Sequence, residues 1–282
     1  MRDVLTTVTA GGRRLRVAIR PGTGAGPPLL ACNGIGTPLE ALAPFTQALD
    51  PAIEVVRFDV PGVGGSPAPR LPYSVAWLAR LAGRMLRELG YDRFDALGIS
   101  WGGGLAQQLA IQNPRRCRRL VLAATSTGSL MIPARPRVLL HLSSPRRHRD
   151  PAHAARIAGT LYGGALRRQP ALAQQMLAEP ARRARTAAVS RRGYLYQLTA
   201  TAGWTSLPWL PLIRQPTLIL AGDDDPIIPL GNARLMATLL PAARLHVYPD
   251  GHLGLLVRAA ELAPVVSDFL LAVEPDADRA LQ

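Results

Sequence analysis

Residues 94–112 read FDALGISWGGGLAQQLAIQ, and their pattern is that of a strand, a tight turn and a helix in succession. Its first part, Phe94–Ser100, is a short apolar run typical of a buried strand, whereas Gly103–Gln112 carries apolar residues at helical spacing. The turn between them has the pattern G-x-S-x-G centred on Ser100. A serine on such a tight turn projects its hydroxyl above the sheet, and only small residues two positions away leave room for the chain. Ser100 is therefore the candidate nucleophile.

The same alternation of strand and helix runs along most of the chain. The predicted strands are Leu15–Arg20, Pro28–Asn33, Glu54–Asp59, Phe94–Ser100, Arg119–Thr125, Thr217–Gly222 and Arg244–Tyr248. The predicted helices are Leu39–Leu49, Val75–Leu89, Gly103–Gln112, Ala233–Leu240 and Ala260–Val273. Near-continuous apolar strands that alternate with helices predict an α/β fold with a mostly parallel sheet covered by helices on both faces.

The segment 127–212 interrupts this alternation. All 33 basic residues of the chain are arginine, and the formal net charge is +14. Thirteen of these arginines lie within 127–212 against two acidic residues, Asp150 and Glu179, so this segment has a net charge of +11. Its helix-like pieces are Pro151–Tyr162 and Leu172–Ser190, and the sequence shows no strand-like run among them.

This shift in composition predicts three parts of the chain. Residues 1–126 and 213–282 are expected to form the two halves of one α/β core, and residues 127–212 a helical, Arg-rich insertion. The positive charge of the insertion has two explanations that the sequence leaves open. Either the charge favours binding of the insertion to an anionic surface, or the arginines form a solvated face that biased codon usage produced.

Composition excludes several classes of protein. The chain has 282 residues, of which 48% are hydrophobic, so it is not disordered. Two cysteines are too few for a disulfide framework, and there is neither a secretory signal nor a membrane-spanning run, so we expect a soluble cytoplasmic protein. The sequence holds no HExxH, CxxC or grouped histidines, so neither a metal nor a cofactor is expected. The basic charge lacks any nucleic-acid motif or interleaved aromatics, so no nucleic-acid partner is expected.

A serine nucleophile needs a base, because its hydroxyl is a poor nucleophile at neutral pH. Three of the five histidines lie in the Arg-rich segment, and His246 lies within a predicted strand. His252 instead follows the last predicted strand, on a loop at the carboxyl end of the sheet. Sites in open α/β sheets form at that edge, so His252 is the candidate base.

An acid is expected to orient this histidine. Gly222–Pro229 follows a predicted strand and contains three candidates, Asp223, Asp224 and Asp225. Their position between Ser100 and His252 gives the chain order serine, acid, histidine. Composition and spacing do not choose among the three.

An oxyanion hole is expected from backbone N–H groups. One is that of Trp101, directly after the candidate nucleophile, and the other is that of Ile35 on the loop Asn33–Gly36. This loop follows a strand and precedes a helix, as a dinucleotide-binding loop does. The third glycine of that fingerprint would fall at Leu39, so the dinucleotide pattern fails.

Further stretches carry a family resemblance: Asn33–Gly36, Phe58–Ser66, Gly98–Gly103, Ser144–Arg147, Tyr162–Gly164, Gly203–Thr205 and Ala221–Pro226. With them the chain, from about Pro28 to Leu271, resembles the α/β-hydrolase superfamily with a cap inserted after the sixth strand. Within that superfamily it resembles the intracellular medium-chain-length poly(3-hydroxyalkanoate) depolymerases. The resemblance is specific because it extends into the cap.

The resemblance implies roles for particular residues. In the family pattern G-x-x-D-x-x-x-P the acid is the fourth residue, which is Asp225, with Asp224 as second choice. Many superfamily members have His before the glycine of the oxyanion loop, whereas this chain has Asn33, as these depolymerases do. The implied acyl pocket is lined by Asn33, Gly34, Leu130, Met131, Tyr194, Trp204 and Trp209. The implied reaction is hydrolysis of granule-stored polyester to 3-hydroxy fatty acids or oligomers, in the cytoplasm or at the granule surface.

Other functions remain open at this stage. The same scaffold serves small-molecule carboxylesterases, lactonases and C–C bond hydrolases, and a catalytically silent member could be a granule-coat or receptor protein. Dehalogenases and epoxide hydrolases use Asp, and polyester synthases use Cys, where this chain has Ser100. The sequence does not determine the oligomeric state.

Overall fold

The computed structural model describes residues 3–143, 150–183 and 190–273. Within these ranges one sheet contains the strands β1 Val4–Ala10, β2 Arg13–Arg20, β3 Leu29–Cys32, β4 Val55–Phe58, β5 Phe94–Ile99, β6 Cys117–Ala123, β7 Thr217–Gly222 and β8 Ala243–Tyr248. Their spatial order is β1-β2-β4-β3-β5-β6-β7-β8. From β4 to β8 all neighbours in this order are parallel, whereas β1–β2 and β2–β4 are antiparallel. The predicted α/β class with a mostly parallel sheet is confirmed.

The sequence analysis missed β1 and its hairpin with β2. Gly11 and Gly12 join the two strands with φ angles of +51° and +72°, a conformation that glycine adopts readily. This glycine pair is a hairpin signal that could have been found. Val4 and Leu5 are exposed on the edge strand, so β1 lacks the burial pattern by which the inner strands are recognised.

Helices flank the sheet and fill the segment between β6 and β7. Those of the core are α1 Ala43–Ala48, α2 Val75–Glu88, α3 Trp101–Gln112, α9 Leu230–Leu239, α10 Gly254–Val257 and α11 Ala259–Leu271. Those between β6 and β7 are α4 Pro136–Ser143, α5 Pro151–Tyr162, α6 Gly164–Arg168, α7 Pro170–Arg183 and α8 Arg191–Thr201. Short 3-10 helices cover Leu39–Leu42 and Leu207–Leu212.

Two apolar clusters on opposite faces of the sheet form the core. Every residue of β3, β4, β5 and β7 is buried, which explains their near-continuous apolar sequences. The helix α2 buries Leu78, Ala82 and Met85 on one side of the sheet. The helix α11 buries Leu262 and Val266 on the other. Burial of each large side chain stabilises the fold by about 1.5–3 kcal/mol, and the two clusters hold the carboxyl edge of the sheet rigid.

The helical character expected between β6 and β7 is present in the described residues. The predicted helix Pro151–Tyr162 coincides with α5, and the predicted Leu172–Ser190 corresponds to α7, which begins earlier. Residues 184–189 and the resemblance stretch Ser144–Arg147 lie outside the described residues. A search of the described helices finds none long and apolar enough to cross a membrane.

Candidate active site

Ser100 occupies a strained turn between β5 and α3. Its φ of 53° and ψ of −121° lie in a region that residues with a Cβ rarely adopt, at a cost of about 1–3 kcal/mol. Three hydrogen bonds hold this backbone. Its N–H donates to Ala123 O at 2.9 Å, and its carbonyl accepts the Gly103 N–H at 2.9 Å and the Thr125 hydroxyl at 2.7 Å. The neighbouring strand β6 therefore fixes the direction in which the Ser100 hydroxyl points.

The glycines two positions on either side of Ser100 are required by close backbone approach. A Cβ at Gly98 would lie 2.3 Å from Gly102 O, and a Cβ at Gly102 would lie 2.2 Å from Cys32 O. Both separations are shorter than any van der Waals contact. Any side chain at either position would push α3 away from β3 and β5.

The structure brings His252 and Asp225 together beneath Ser100. The His252 Nε2 atom lies 3.0 Å from Ser100 Oγ, and its Nδ1 atom lies 2.8 Å from Asp225 Oδ2. The three residues follow β5, β7 and β8, three parallel strands whose carboxyl ends lie on one edge of the sheet. His252 and Asp225 are both buried, which shields their hydrogen bond from water.

The three neighbouring aspartates have different surroundings. Asp225 Oδ1 accepts the N–H groups of Ile227 and Ile228, each at 2.9 Å, which leaves Oδ2 for His252. Asp224 instead accepts the Gly164 N–H at 2.7 Å and pairs with Arg167 at 2.7 Å, so it holds the start of α6. Asp223 is exposed. Of the three, Asp225 is the one that contacts the histidine.

The two expected oxyanion donors belong to two segments that adjoin Ser100, the start of α3 and the loop Asn33–Gly36. Trp101 is the first residue of α3, so its N–H has no acceptor within the helix. Gly34 lies against the nucleophile, because a Cβ placed there would be 3.8 Å from Ser100 Cβ. Ile35 follows it on the same loop. Asn33 donates from Nδ2 to Pro38 O at 2.9 Å, so its amide closes this loop.

A cavity of about 250 Å³ opens beside Ser100. It is lined by Ser100, Trp101, Gly104, Thr125, Ser126, Gly128, Ser129, Met131, Thr201, Trp204 and Ile228. The predicted pocket residues Met131 and Trp204 are among them. Thr125 and Ser126 were missed, although they lie two and three residues after the end of β6, at the carboxyl edge of the sheet, which is a signal that the sequence offers.

Other predicted pocket residues lie away from this cavity in the described structure. The cavity lining does not include Asn33, Gly34, Leu130, Tyr194 or Trp209. The side chains of Leu130 and Trp209 are 59% and 49% exposed. The resemblance implied a pocket under the cap, and Leu130, Tyr194 and Trp209 were assigned to it as apolar side chains of that segment; apolar character does not distinguish a cavity wall from the outer surface. Asn33 and Gly34 belong to the loop beside Ser100, where Gly34 approaches the nucleophile.

Trp204 forms one wall of the cavity in a fixed orientation. Its indole N–H donates to Gln108 Oε1 on α3 at 2.8 Å. Its ring lies over Gly104 and Gly128, where an added Cβ would approach ring carbons to 3.0 Å and 2.6 Å. A hydrogen bond at one end and close packing on both sides prevent the ring from turning, so Trp204 sets the depth of the cavity.

The inserted segment contacts the loop that carries His252. The His252 backbone N–H donates to Tyr162 O at 2.7 Å. Asp250 Oδ1 accepts the Ala165 N–H at 2.8 Å. The end of α5 and the start of α6 therefore both hold the loop that carries His252.

The arrangement is suited to nucleophilic catalysis. A hydroxyl, an imidazole and a carboxylate lie in sequence at hydrogen-bond distances. Within the described ranges, no group of three or more His, Cys, Asp or Glu side chains is arranged to hold a metal ion.

Comparisons with known proteins agree with this geometry. Residues 27–259 match the family model described as alpha/beta hydrolase fold. The chain is 50% identical over 267 residues to a poly(3-hydroxyalkanoate) depolymerase of Ectopseudomonas oleovorans, covering 95% of this chain and 92% of that protein. It is 30% identical over 268 residues to a 2-hydroxymuconate semialdehyde hydrolase of Pseudomonas sp. (strain CF600), covering 88% of each. The crystal structure of a hydrolase from Pseudomonas aeruginosa PA01 aligns with a TM-score of 0.76 and 27% identity, covering 95% of this chain and 98% of that one.

Proposed function

Because the chain belongs to the α/β-hydrolase family and is similar over nearly its whole length to a poly(3-hydroxyalkanoate) depolymerase, we propose that it hydrolyses the ester bonds of poly(3-hydroxyalkanoate). The observation that carries the proposal is the pair of contacts made by the His252 imidazole. Its Nε2 atom lies 3.0 Å from Ser100 Oγ, and its Nδ1 atom lies 2.8 Å from Asp225 Oδ2. Ser100 is the nucleophile, His252 the general base and Asp225 the acid that orients the imidazole.

The first step forms an acyl-enzyme. His252 Nε2 accepts the Ser100 proton as Oγ attacks the ester carbonyl carbon, and the carbonyl oxygen becomes an oxyanion. The N–H groups of Ile35 and Trp101 donate to that oxyanion. Asp225 accepts from Nδ1–H, which fixes the tautomer and stabilises the imidazolium. The ester C–O bond then breaks, and the alcohol end of the polymer leaves with the proton from His252.

The second step releases the acid. His252 accepts a proton from water, whose oxygen attacks the acyl carbon, and the same two N–H groups hold the second oxyanion. Ser100 leaves as an alcohol after it takes the proton back from His252. The product is a 3-hydroxy acid or a short oligomer that ends in a carboxylate.

We assign residues 127–212 as a cap over a core made of 1–126 and 213–282. Met131 and Trp204 line the cavity beside Ser100, and both belong to this segment. An apolar side chain of the polyester entering the cavity would contact them and exclude water from the acyl carbon. The contacts from the end of α5 and the start of α6 to the His252 loop support a cap that is built into the site.

The cap also offers a surface for a storage granule in the cytoplasm. Its exposed arginines include Arg135, Arg137, Arg156, Arg167, Arg168, Arg191 and Arg192. Exposed apolar side chains, among them Leu130 and Leu195, lie in the same segment. Positive charge beside apolar groups favours an anionic coat over an apolar polymer.

The proposal is tested with purified wild-type protein, Ser100→Ala and amorphous polymer granules of short and medium side-chain length. Wild type is expected to release 3-hydroxy acids, and Ser100→Ala is expected to release none while keeping its circular dichroism spectrum. Ser74→Ala, which removes the N-cap of α2, is the matched serine control and should retain activity. Wild-type protein that releases no acid from either polymer would refute the assignment.

A second candidate is a hydrolase of small soluble esters or C–C bonds. The 30% identity to a 2-hydroxymuconate semialdehyde hydrolase favours it, and a cavity of about 250 Å³ suits a small substrate. A panel of soluble p-nitrophenyl esters run beside the granules separates the two candidates. A fluorophosphonate probe that fails to label Ser100 would instead favour a silent coat or receptor protein.

A further inference from the structure

Gln197 on α8 contacts both segments of the proposed oxyanion hole. Its side-chain Oε1 accepts the Gly36 N–H at 2.8 Å. Its backbone carbonyl accepts the indole N–H of Trp101 at 2.9 Å. Gln197 itself is only 1% exposed. One buried residue of the inserted segment therefore joins two distant parts of the core.

The two partners of Gln197 are the neighbours of the reacting groups. Gly36 directly follows Ile35, and Trp101 directly follows Ser100. We propose that Gln197 is a positioning residue, which sets the separation of the Ile35 and Trp101 N–H groups across the oxyanion hole. This inference rests on the proposed function, because it assigns a role in the same acyl transfer.

The loop that carries Ile35 needs an external support. Its far end is held where the Leu39 N–H donates to Asp59 Oδ1 at 2.7 Å. At its tip the Thr37 hydroxyl donates to Gly34 O at 2.8 Å, a bond within the loop itself. Among the hydrogen bonds of the described residues, that from Gly36 to Gln197 is the one that ties positions 34–37 to another element.

An oxyanion hole is sensitive to small displacements of its donors. Its N–H groups must lie about 2.7–3.1 Å from the position of the developing oxyanion and must already point there before reaction. A loop tip free to move would need to be reordered in each transition state, at a cost in kcat. Gln197 is also neutral, so it fixes the loop without placing a negative charge beside the oxyanion.

The experiment compares Gln197→Met with Tyr196→Phe. Gln197→Met keeps the volume and the backbone carbonyl but removes the acceptor for Gly36. Tyr196→Phe removes a hydrogen bond of 2.9 Å from the same helix to Arg70 O in the core, away from the oxyanion loop. Hydrolysis of a p-nitrophenyl ester is measured per active site, with sites counted by fluorophosphonate titration, which corrects for any unfolded fraction.

For Gln197→Met we expect kcat to fall roughly 10- to 100-fold, with KM changed less than about threefold. Affinity for an aryl trifluoromethyl ketone, whose hemiketal oxygen occupies the oxyanion position, should fall by the same factor as kcat. The pH profile of kcat/KM should keep its midpoint, because the His252–Asp225 pair is untouched. Tyr196→Phe should stay within about twofold of wild type in all these measurements.

Two results would overturn the inference: a kcat within about twofold of wild type for Gln197→Met, or a reduced kcat with unchanged affinity for the ketone. Should Gln197→Met fail to fold, Trp101→Phe removes the other bond and keeps the backbone N–H. Reduced ketone affinity is expected there too, and unchanged affinity overturns the inference. If the wild-type protein neither hydrolyses esters nor reacts with the fluorophosphonate, the proposed function is overturned as well. If the wild type is active and Gln197→Met is unaffected, only this inference is overturned.

Discussion

Asp225 Oδ2 lies 2.8 Å from His252 Nδ1, and the other oxygen of the same carboxylate is already occupied by two backbone N–H groups. One side of the carboxylate therefore faces two backbone donors and the other side faces the imidazole. This makes the orientation of a replacement amide at position 225 predictable.

Asp225→Asn is expected to fold and to lose nearly all activity. The amide oxygen should take the two N–H bonds, so its NH₂ group must point at His252 Nδ1. That forces the proton onto Nε2, where the imidazole can no longer accept the Ser100 proton. We expect kcat to fall about 10⁴-fold, measured with a p-nitrophenyl ester at neutral pH.

Asp224→Asn is the matched control for this substitution. It makes the same chemical change one residue away, where the carboxylate contacts Gly164 and Arg167 instead of the histidine. The ion pair with Arg167 is about half exposed, so its loss should cost at most about 1 kcal/mol. Equal losses of kcat in the two variants would contradict the assignment of Asp225.

Gly98→Ala is expected to destabilise the protein and impair the nucleophile together. The added Cβ would lie 2.3 Å from Gly102 O, so α3 must move. We expect the free energy of unfolding to fall by about 1–3 kcal/mol, measured by urea denaturation. Gly26→Ala is the control, because a Cβ there meets no described atom within 4 Å, and its effect should be under about 0.5 kcal/mol. A similar effect of the two substitutions would count against this packing argument.

Trp204→Leu should shift the preference towards longer acyl chains. The indole forms a wall of the cavity, and leucine would leave space beyond it. The ratio of kcat/KM for p-nitrophenyl decanoate over butyrate should rise at least roughly tenfold. Trp209→Leu is the matched control, because Trp209 is about half exposed and lies away from the cavity lining. An unchanged ratio in Trp204→Leu would show that the acyl chain binds elsewhere.

Granule binding by the cap should weaken with salt. The Debye length falls from about 10 Å at 0.1 M salt to about 3 Å at 1 M, so contacts between exposed arginines and an anionic coat are screened. Cosedimentation with granules measures this. A double variant with Arg191→Gln and Arg192→Gln should bind granules less than a control double variant with Arg13→Gln and Arg14→Gln. The control makes the same change of charge on β2. Binding indifferent to salt would leave biased codon usage as the explanation of the charge.

Both cysteines should resist alkylation in the folded protein. Burial raises the pKa of the Cys32 thiol to about 12, and burial together with Asp95 raises the pKa of the Cys117 thiol. The thiolate is the reactive form, so raising the Cys32 pKa from 9.0 lowers its thiolate fraction at pH 8 roughly thousandfold. Iodoacetamide followed by mass spectrometry should label the two residues only after unfolding. Rapid labelling of the native protein would contradict their burial.

The inner strands were the most predictable part of the fold. β5 and β7 are buried along their whole length, so their sequences are apolar without interruption and stand out from the helices around them. The strand β1 was missed because its edge position leaves Val4 and Leu5 exposed. The turn at Ser100 was predictable because G-x-S-x-G carries a steric requirement that the neighbouring sequence satisfies.

Long-range contacts were the least predictable part of the site. Gln197 lies 161 residues from Gly36, and no local pattern marks it as a hydrogen-bond partner. Leu130 and Met131 are adjacent and both apolar, yet only Met131 lines the cavity. Which of two neighbouring side chains faces inward depends on how the segment packs on the core. The identity of the two residues does not predict that packing.

The parallel sheet, the turn that carries Ser100 and the position of His252 after the last strand could all be predicted from the sequence, because periodicity and close packing act over a few residues. Tertiary structure showed that Asp225, which the family pattern implied but composition and spacing did not distinguish from its two neighbours, contacts the histidine. It also decided which residues line the cavity. These outcomes depend on the relative positions of segments that are far apart in sequence. Those positions are fixed only when the whole chain folds and both faces of the sheet are buried.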